Sequence, residues 1–351
     1  MPADISVRGA GPVACAIALL LHQAGRPVSL TDQDRDAAAS LRPIALSHAS
    51  RLILERVGVW RSLGATPIHT IHVSQQGGPG RTRLCAADAG VPALGYVVDY
   101  RVLLDALARQ VKTLAIGTEA PAGEALLVIH AEGISSESTQ KSYRQEAIVA
   151  LVTTQPAAGA TAWERFTPEG PLALLPLQGR YCAVWGMRPA RAQQLCAAPA
   201  VEFLAALAQA FGRRAGAFVA VAERNRAPLA LRVRSSRVGE RAAYIGNAAQ
   251  TLHPVAGQGL NLGLRDAWDL AQVLHGEVDP GDARVLQRFA AMRRIDAVAT
   301  VRVTDFLAGA FLGNNRLTGL MRGIGLTGLD ICPPARRFLA RRMIYGTSAM
   351  P

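Results

Sequence analysis

The alternation of apolar and polar residues divides the beginning of the chain into a strand, a helix and a second strand. Residues 4–8 (DISVR) predict a short buried strand. Residues 15–25 continue as a helix-like apolar stretch that ends at Gly25, a residue typical of helix C-caps. Residues 26–32 predict the second strand. This order is the beginning of a βαβ unit.

Longer segments with helical or alternating periodicity fill the rest of the chain. Residues 46–63 and 101–111 predict helices, whereas residues 124–188 consist of short alternating stretches punctuated by Gly and Pro, which predicts an antiparallel sheet. Further helices are predicted over residues 200–211, 260–275, 283–307 and 317–345. Strand-rich segments therefore interrupt an α/β frame, which predicts a nucleotide-binding domain that is discontinuous in sequence.

The bulk composition is that of a globular protein. The chain has 351 residues, half of them apolar, which suits two or three structural units with a large core. No stretch of about 18 uncharged apolar residues predicts a membrane-spanning helix. The first residues resemble the apolar core of a signal peptide, but Asp4 and the pattern Gly9-Ala10-Gly11 favour a cytoplasmic start. Five cysteines without a CxxC pair also favour a reducing compartment.

The formal net charge of +12 raises the question of an anionic partner. Few aromatic residues stand among the many arginines, so we expect no nucleic-acid binding. We also expect no metal site, because the closest histidines, His69 and His72, are predicted to lie on opposite faces of a strand.

The tail from Arg316 to Pro351 carries six arginines and a single acidic residue, Asp330. Its arginines alternate with Leu, Met, Ile and Phe at near-helical spacing, as in helices that lie at a membrane interface. We expect a peripheral membrane surface or a docking surface for partner proteins. A solvated basic face over a core-facing helix is the alternative.

The first glycine-rich motif, Gly9-x-Gly11-x-x-Ala14, lies between the first predicted strand and helix. Gly9 permits a tight turn, Gly11 lets the backbone approach a pyrophosphate, and the small Ala14 permits close packing of helix on strand. Asp32 follows at the end of the second strand, where a carboxylate accepts hydrogen bonds from ribose hydroxyls. The motif predicts dinucleotide binding, and a glycine-rich turn without a ligand is the alternative.

The second motif is Gly257-Gln258-Gly259, which precedes an amphipathic helix. Its glycines let the backbone come close to a flat or anionic group, and the free N–H groups of the first helical turn point towards such a group. The helix N-terminus would stabilise the negative charge of a reduced flavin ring. A glycine-rich helix start used only for packing is the alternative.

Several segments together resemble the FAD-dependent aromatic hydroxylases of ubiquinone biosynthesis, and among these the 2-polyprenyl-6-methoxyphenol hydroxylase type. The similarity extends over most of the chain and is carried by GAGPVA, RPIALS, IHTIHVS, LGYVVDYRVLLDAL, AWERFTPEGPLALLPL and IGNAAQTLHPVAGQGLNLGLRD. It implies the α/β fold of the para-hydroxybenzoate hydroxylase class, in which an antiparallel β-sheet substrate domain interrupts a Rossmann-like FAD-binding domain and C-terminal helices complete the molecule.

The resemblance also implies how the chain divides into domains. We expect residues 1–68, 91–135 and 236–300 to form the FAD-binding domain. Residues 69–90 and 136–235 are expected to form the sheet that covers the substrate, and residues 301–351 a C-terminal helical segment.

The function that the resemblance implies is hydroxylation of the aromatic ring of a polyprenylated phenol by an FAD-dependent monooxygenase that uses NAD(P)H and O₂. The enzyme would be cytoplasmic and peripheral on the inner membrane, with proteins of a ubiquinone-synthesis complex as partners. Two alternatives stay open: a non-catalytic assembly or lipid-binding homologue, and a hydroxylase of a smaller soluble phenol. The first alternative is motivated by the short segment 112–126 and by the motif His130-Ala131-Glu132-Gly133, which stands where the family has an Asp-Gly pair.

The resemblance assigns site residues by position. At 247 the wider class carries Asp, and an Asn amide can still bond the ribityl hydroxyls of the cofactor. His253 and Pro254 would lie at the flavin face, where His253 could assist phenol deprotonation or act only as a structural histidine. Substrate contact is expected for Trp163, Phe166 and Leu174, with core packing as the alternative. The expected FAD-binding residues are Gly9, Gly11, Ala14, Asp32, Arg42, Arg101, Glu132, Gly133, Gly246, Asn247, Pro254, Gly257, Gln258, Gly259, Leu260 and Asn261.

Overall fold

The computed structural model describes residues 4–31, 42–78, 80–117, 124–133, 138–251, 259–295 and 316–346. The strands are β1 (Ile5–Arg8), β2 (Val28–Thr31), β3 (Pro43–Ser47), β4 (Thr66–Ile68), β5 (Thr70–Gln75), β6 (Arg81–Cys85), β7 (Gly95–Asp99), β8 (Leu127–His130), β9 (Ser138–Gln155), β10 (Thr161–Phe166), β11 (Pro171–Leu177), β12 (Arg180–Met187), β13 (Ala217–Arg234), β14 (Val238–Gly239), β15 (Ala242–Tyr244) and β16 (Gln250–Thr251). The helices are α1 (Pro12–Gln23), α2 (His48–Arg56), α3 (Ala86–Ala89), α4 (Tyr100–Thr113), α5 (Pro189–Ala197), α6 (Ala200–Phe211), α7 (Gly259–Leu274), α8 (residues 283–295), α9 (Arg316–Ile331) and α10 (Pro333–Tyr345).

A five-stranded sheet in the order β14-β15-β8-β1-β2 forms the nucleotide-binding frame. Strands β15, β8, β1 and β2 run parallel, and β1 and β2 flank α1 as the predicted βαβ unit requires. The apolar side chains of β1 and α1 are buried because both faces of this sheet are covered. Strand β8 lies within the stretch predicted as antiparallel sheet but pairs in parallel with β1, so that part of the prediction is wrong.

An eight-stranded sheet in the order β16-β13-β9-β12-β11-β10-β5-β6 interrupts this frame. Its pairs are antiparallel except β10 with β5. Most of its strands come from the segments predicted to cover the substrate, and β16 at residues 250–251 joins them from beyond that range. The predicted fold class, an α/β frame interrupted by an antiparallel sheet and followed by helices, is confirmed. The exact domain limits stay a prediction.

The two faces of the eight-stranded sheet pack against different partners. We call the face that packs on α5 and α6 the outer face; Leu174 and Trp185 lie there against Phe203 and Leu207. The opposite, inner face packs on a small sheet of order β3-β7-β4, where Ala162 belongs to the same buried cluster as Ile68 and Val97. The inner face therefore faces the nucleotide-binding frame.

The helix predicted over residues 46–63 is shorter in the structure. Ser47 ends β3 and caps α2, because its hydroxyl accepts a hydrogen bond of 3.2 Å from the N–H of Ser50. The helix ends at Arg56. Gly58 follows with a left-handed φ of 83°, which is incompatible with a continuing α-helix. A single 3₁₀ turn, Trp60–Ser62, completes the predicted segment.

The C-terminal helices cover the edge of the large sheet. A Cβ atom on Gly80 would lie 2.5 Å from the Cα atom of Gly323, so α9 approaches the chain that leads into β6 very closely. Asp330 at the end of α9 accepts a hydrogen bond of 3.1 Å from the N–H of Arg83 on this edge strand. Helix α10 packs its buried Ala340 and Ile344 against α3 and Leu84. None of the helices in the described part of the chain has the length and apolar character needed to cross a membrane.

Candidate active site

The turn between β1 and α1 has the geometry of a phosphate-binding turn. Gly9 has a φ of 121°, and a Cβ atom there would lie 2.7 Å from the backbone N of Glu132, so only glycine fits. Gly11 is the N-cap of α1 and receives no side-chain cap from the described residues. A Cβ atom at Gly11 would meet only the hydroxyl of Tyr100, at 4.0 Å, and Ala14 is fully buried against the core. The open N–H groups of this helix start fit the pyrophosphate of FAD.

A tyrosine that the sequence did not single out completes this end of the frame. The guanidinium of Arg42 lies 4.9 Å from the ring centre of Tyr100, whose backbone N–H donates to the carbonyl of Arg42 at 2.9 Å. Burial raises the pKa of the Tyr100 hydroxyl and outweighs the opposing effect of Arg42. Arg42, Tyr100 and Gly11 therefore converge on one place. The next residue, Arg101, is exposed, and its N–H donates to the N-cap carboxylate of Asp99 at 2.7 Å.

The end of β8 contributes an acidic group beside the same turn. Glu132 Oε1 lies 2.8 Å from His130 Nδ1, and the His130 ring stacks on Tyr244 with ring centres 4.7 Å apart. The guanidinium of Arg234 covers the same tyrosine ring at 3.6 Å. The second carboxylate oxygen of Glu132 is buried and has no hydrogen-bond partner among the described residues. Gly133 is exposed.

The second glycine-rich region packs against the first. Gly246 has a φ of 59°, and a Cβ atom there would lie 3.2 Å from the side chain of Val13 on α1. Gly263 on α7 would bring a Cβ atom to 2.7 Å from the same valine. Asn247 follows Gly246 in a 3₁₀ turn with its side chain exposed. Its amide therefore remains accessible at the edge of the predicted cofactor site.

A buried group of charges fixes Gly246 in place. Asp266 Oδ2 accepts hydrogen bonds from the N–H of Gly246 at 3.2 Å and from Gln250 Nε2 at 3.1 Å. Its Oδ1 accepts a bond of 2.7 Å from Arg293 Nε and forms an ion pair with Arg237 at 3.1 Å. Burial alone would raise the pKa of Asp266, but the positive charges of Arg237 and Arg293 outweigh it and lower this pKa. Arg293 also donates to Asp269 at 2.8 Å.

The start of α7 is held to the β3–α2 turn by Asn261. Its Oδ1 accepts bonds of 2.7 Å from the N–H of Ser47 and from the hydroxyl of Ser50, and its Nδ2 donates to the carbonyl of Ala45 at 2.9 Å. This predicted cofactor residue thus directs its side chain into the protein. Gly259 and Leu260 form the first turn of α7, and a Cβ atom at Gly259 would meet nothing within 4 Å.

An apolar cavity of about 80 Å³ lies next to this helix start. One wall is formed by β3 and Asn261, the second by the inner edge of the large sheet, and the third by α10. The lining residues are Ala45, Leu46, Ser47, Ile68, Ile71, Leu84, Leu94, Gly95, Asn261, Ala340, Met343 and Ile344. The cavity therefore joins the predicted cofactor region to the predicted substrate sheet and to the basic tail.

Two of the predicted substrate residues lie away from this cavity. Trp163 and Leu174 belong to the cluster on the outer face, and Trp163 Nε1 donates to the hydroxyl of Tyr181 at 3.1 Å. Side chains alternate between the faces of a strand, so the pattern of residue types did not reveal which parity faces inward. Phe166 has the parity of Ala162 on the inner face and is buried there.

A carboxyl group on the inner face was not anticipated from the sequence. Glu164 lies two residues from Ala162 on β10 and pairs with Val73 and Ala173. Its Oε1 is shut off from solvent and lacks a hydrogen-bond partner within the described part of the chain. Burial raises the pKa of Glu164 to about 8. The group is therefore mostly protonated at neutral pH and can both donate and accept a hydrogen bond.

The remaining predicted site residues lie outside the described residues. They are Asp32, His253, Pro254, Gly257 and Gln258. Their roles stay predictions.

Comparison with known proteins places the chain in a family. A model described as an FAD binding domain matches residues 120–304. The ubiquinone hydroxylase UbiL of Rhodospirillum rubrum is 31% identical, over 97% of this chain and 89% of that relative. The 3-demethoxyubiquinol 3-hydroxylase of Escherichia coli is 30% identical, over 93% of this chain and 94% of the relative.

The fold has solved counterparts. The p-nitrophenol 4-monooxygenase PnpA of Pseudomonas putida superposes with a TM-score of 0.76 over 99% of both chains, at 16% identity. This likeness shows the shared fold, while the identity to the two sequence relatives shows the family. The chain therefore belongs to the FAD-dependent hydroxylases of ubiquinone biosynthesis, and it is a flavoprotein monooxygenase.

Proposed function

We propose that this enzyme hydroxylates the aromatic ring of a polyprenylated phenol, with NAD(P)H as reductant and O₂ as oxidant. The names of two relatives, a ubiquinone hydroxylase and a 3-demethoxyubiquinol 3-hydroxylase, support this substrate class. The observation that carries the proposal is the apolar cavity between the start of α7 and the inner face of the large sheet. A prenylated ring needs such a lining, because most of its surface is hydrocarbon.

The cavity in its present form holds only part of such a substrate. Its volume of about 80 Å³ is well below the roughly 300–1,000 Å³ of typical ligand sites. Met343 and Ile344 of α10 form one wall, and a methionine side chain adapts easily to a new neighbour. We infer that displacement of these α10 side chains makes room for the prenyl tail.

The described residues suit the binding of FAD, which supplies the oxygen-activating chemistry when bound. The turn at Gly9 and Gly11 and the start of α1 would receive the pyrophosphate. Asn247 would bond the ribityl chain through its exposed amide, and Arg42 with Tyr100 would border the cofactor beside Gly11. The α7 N-terminus would stabilise negative charge on the flavin ring.

Other residues of the chain would control water and protons around the ring. The aliphatic lining of the cavity keeps water away from the reacting centre, which protects reactive states from hydrolysis. His253 is proposed to assist phenol deprotonation or to support the loop that carries it.

The function is tested on the purified full chain. We expect a yellow protein that oxidises NAD(P)H faster when a short-chain 2-prenylphenol is added and that releases a ring-hydroxylated product detected by mass spectrometry. A protein that takes up no added FAD, or that yields no hydroxylated product, would contradict the proposal. If a phenol without a prenyl chain is turned over as well as the prenylated one, the enzyme acts on a smaller soluble phenol.

We further propose that α9 and α10 place the enzyme on the cytoplasmic side of an anionic membrane. Ile324 and Ile331 on α9 and Phe338 on α10 are 58%, 76% and 74% exposed. Arg337 and Arg341 are also exposed, four residues apart on α10. Apolar side chains next to arginines are typical of a surface that binds anionic lipids.

Flotation with lipid vesicles tests this surface. The wild type should float with vesicles that contain anionic lipid, and the double variant Arg337→Glu/Arg341→Glu should lose at least about tenfold in affinity, because each arginine contributes about 1 kcal/mol. The matched control Arg109→Glu/Lys112→Glu changes the same charge on exposed positions of α4 and should float normally. Equal flotation of both double variants would overturn the assignment and leave a surface for partner proteins.

A further inference from the structure

The inner face of the large sheet carries two polar side chains in a single row across three strands. Thr82 on β6 pairs with Val73 on β5, and Val73 pairs with Glu164 on β10. Paired residues of neighbouring strands point to the same face, so Thr82 and Glu164 flank Val73 on either side. The two residues are about two strand spacings, or about 10 Å, apart.

This polar row lies directly beside the apolar cavity. The next row along the same strands consists of Leu84, Ile71 and Ala162, and its first two members line the cavity. One step of two residues along a strand covers about 7 Å. A ligand that rests its apolar part on Leu84 and Ile71 therefore brings a polar group at its end to the row of Thr82 and Glu164.

Both polar side chains have an oxygen atom that the fold does not use. Thr82 Oγ1 and Glu164 Oε1 are buried and lack a hydrogen-bond partner among the described residues. A buried polar atom without a partner costs about 1–3 kcal/mol, and its presence in a native protein calls for an explanation. The residues paired with Glu164 on this face, Val73 and Ala173, have apolar side chains, and so do its neighbours along β10, Ala162 and Phe166.

We propose that Glu164 binds the ring hydroxyl of the phenolic substrate, with Thr82 as a second polar contact on the far side of Val73. This inference rests on the proposed function and goes beyond it by naming the residue that orients the ring. A carboxyl group accepts a hydrogen bond from a phenol and, when protonated, donates one in return. Because a single strong contact fixes the rotation of the ring about its apolar body, Glu164 determines which ring carbon faces the cofactor.

The proposal is tested by substrate binding rather than by turnover alone. The probes are a short-chain 2-prenylphenol and its methyl ether, which has the same apolar body but no O–H donor. Binding to the FAD-loaded protein is measured from the change in flavin absorbance. The wild type should bind the phenol about tenfold more tightly than the ether. Glu164→Met should lose this difference, and Glu164→Gln, which keeps both a donor and an acceptor, should retain most of it.

Control variants separate this contact from a general effect on the fold. Glu202→Met replaces an exposed glutamate on α6 and should behave as the wild type. Thr82→Val conserves side-chain shape and should weaken phenol binding by a few-fold. It provides the test if Glu164→Met proves too unstable to measure. With Glu164→Met, we also expect more H₂O₂ and less hydroxylated product per NAD(P)H.

The outcomes distinguish the two proposals. If Glu164→Met keeps the preference for phenol over ether, this inference is wrong although the hydroxylase assignment stands. If Glu164→Met does not fold, the inference is wrong when Thr82→Val binds the phenol as tightly as the wild type. If the wild type binds neither probe and hydroxylates neither, the proposed function itself fails.

Discussion

The two glycines of the turn between β1 and α1, Gly9 and Gly11, are required for different reasons. Gly9 is required by the fold, because its φ of 121° and the nearby backbone of Glu132 leave no room for a Cβ atom. Gly11 lies in open space, so nothing in the protein demands a glycine there. The demand at Gly11 comes from the cofactor, which needs the backbone to approach its pyrophosphate.

This difference predicts opposite results for two alanine variants. Gly9→Ala should lower the free energy of unfolding by at least about 2 kcal/mol even without FAD, because of the strained φ and the steric contact. Gly11→Ala should change apoprotein stability by no more than about 0.5 kcal/mol but weaken FAD binding at least about tenfold. Urea unfolding of the apoprotein and FAD titration measure the two quantities. A Gly11→Ala variant with normal FAD affinity would show that the pyrophosphate lies elsewhere.

The protonation of Glu164 is predicted to affect stability with pH. Burial raises its pKa to about 8 in the folded protein, whereas the unfolded chain has an ordinary value of about 4.3. The contribution of protonated Glu164 to the free energy of unfolding is therefore complete below about pH 4 and is lost as the pH rises through about 8. Glu164→Gln cannot ionise and should gain in melting temperature relative to the wild type between pH 5 and pH 9. A constant difference over this range would show that Glu164 is not desolvated.

The residue types alone predicted some of this chemistry and missed the rest. The glycines were recognisable because their spacing between a strand and a helix is specific. Glu164 and Tyr100 were not, because a lone polar residue in a strand or helix start gains its role only from what faces it across the fold. For the same reason, the residue types left Trp163 open between substrate contact and core packing, and it packs on the outer face.

At the scale of elements, the buried charges around Asp266 connect three parts of the chain. Asp266 lies on α7, Arg293 on α8, Gly246 in the turn that presents Asn247, and Gln250 on β16 directly after it. All the groups are buried, so each charge depends on its partners. The position of the turn, and with it the accessibility of Asn247, is therefore coupled to α8.

Asp266→Asn is expected to destabilise the protein at neutral pH by about 3–5 kcal/mol, because it removes the charge that pairs with Arg237 and leaves the buried Arg293 with Asp269 as its remaining ion-pair partner among the described residues. The folded-state pKa of Asp266 is lowered, so the wild type keeps this contribution above its unfolded pKa of about 3.9 and loses it as the pH falls through the folded value. The difference between variant and wild type should narrow below about pH 4 in urea unfolding. The exposed pair Arg241–Asp279 provides the control, and Asp279→Asn should have little effect.

The segment between α4 and β8 shows how far periodicity predicts an element. The sequence over residues 112–126 was too short for several strands, and among residues 114–117 and 124–126 the structure has only an isolated bridge between Gly117 and Ser29. The beginning of the chain, with β1 and α1, was predicted well because burial of both elements restricts their composition. The parallel pairing of β8 with β1 depends on distant contacts that local periodicity does not contain.

At the scale of the whole molecule, the cavity is formed where three separate units meet. The nucleotide frame contributes the start of α7, the large sheet contributes Ile71 and Leu84, and the C-terminal tail contributes Met343 and Ile344. No short window of sequence contains this site, since its walls come from residues 45 to 344. The sequence predicted the units, whereas the cavity became visible only in their assembly.

A larger side chain on α10 should test the use of this cavity. Met343→Trp fills the space near Ile344 and should lower kcat/KM for a prenylated phenol at least about tenfold, with a smaller effect on an unprenylated phenol. Steady-state rates in detergent with a series of tail lengths provide the measurement. Val201→Trp adds the same ring at an exposed position of α6 and serves as the control. Equal losses for both phenols would place the tail elsewhere.

The two sides of helix α10 have different surroundings. Ile344 lines the cavity, and Phe338 on the other side is 74% exposed. An α-helix with its side chains is about 10–12 Å across. A membrane or partner protein bound to the outer side of α10 would therefore lie about one helix width from the cavity in which the ring is proposed to bind. A hydrophobic substrate that moves from this surface to the cavity, and a hydrophobic product that moves back, would travel that distance along the protein without dissolving in water.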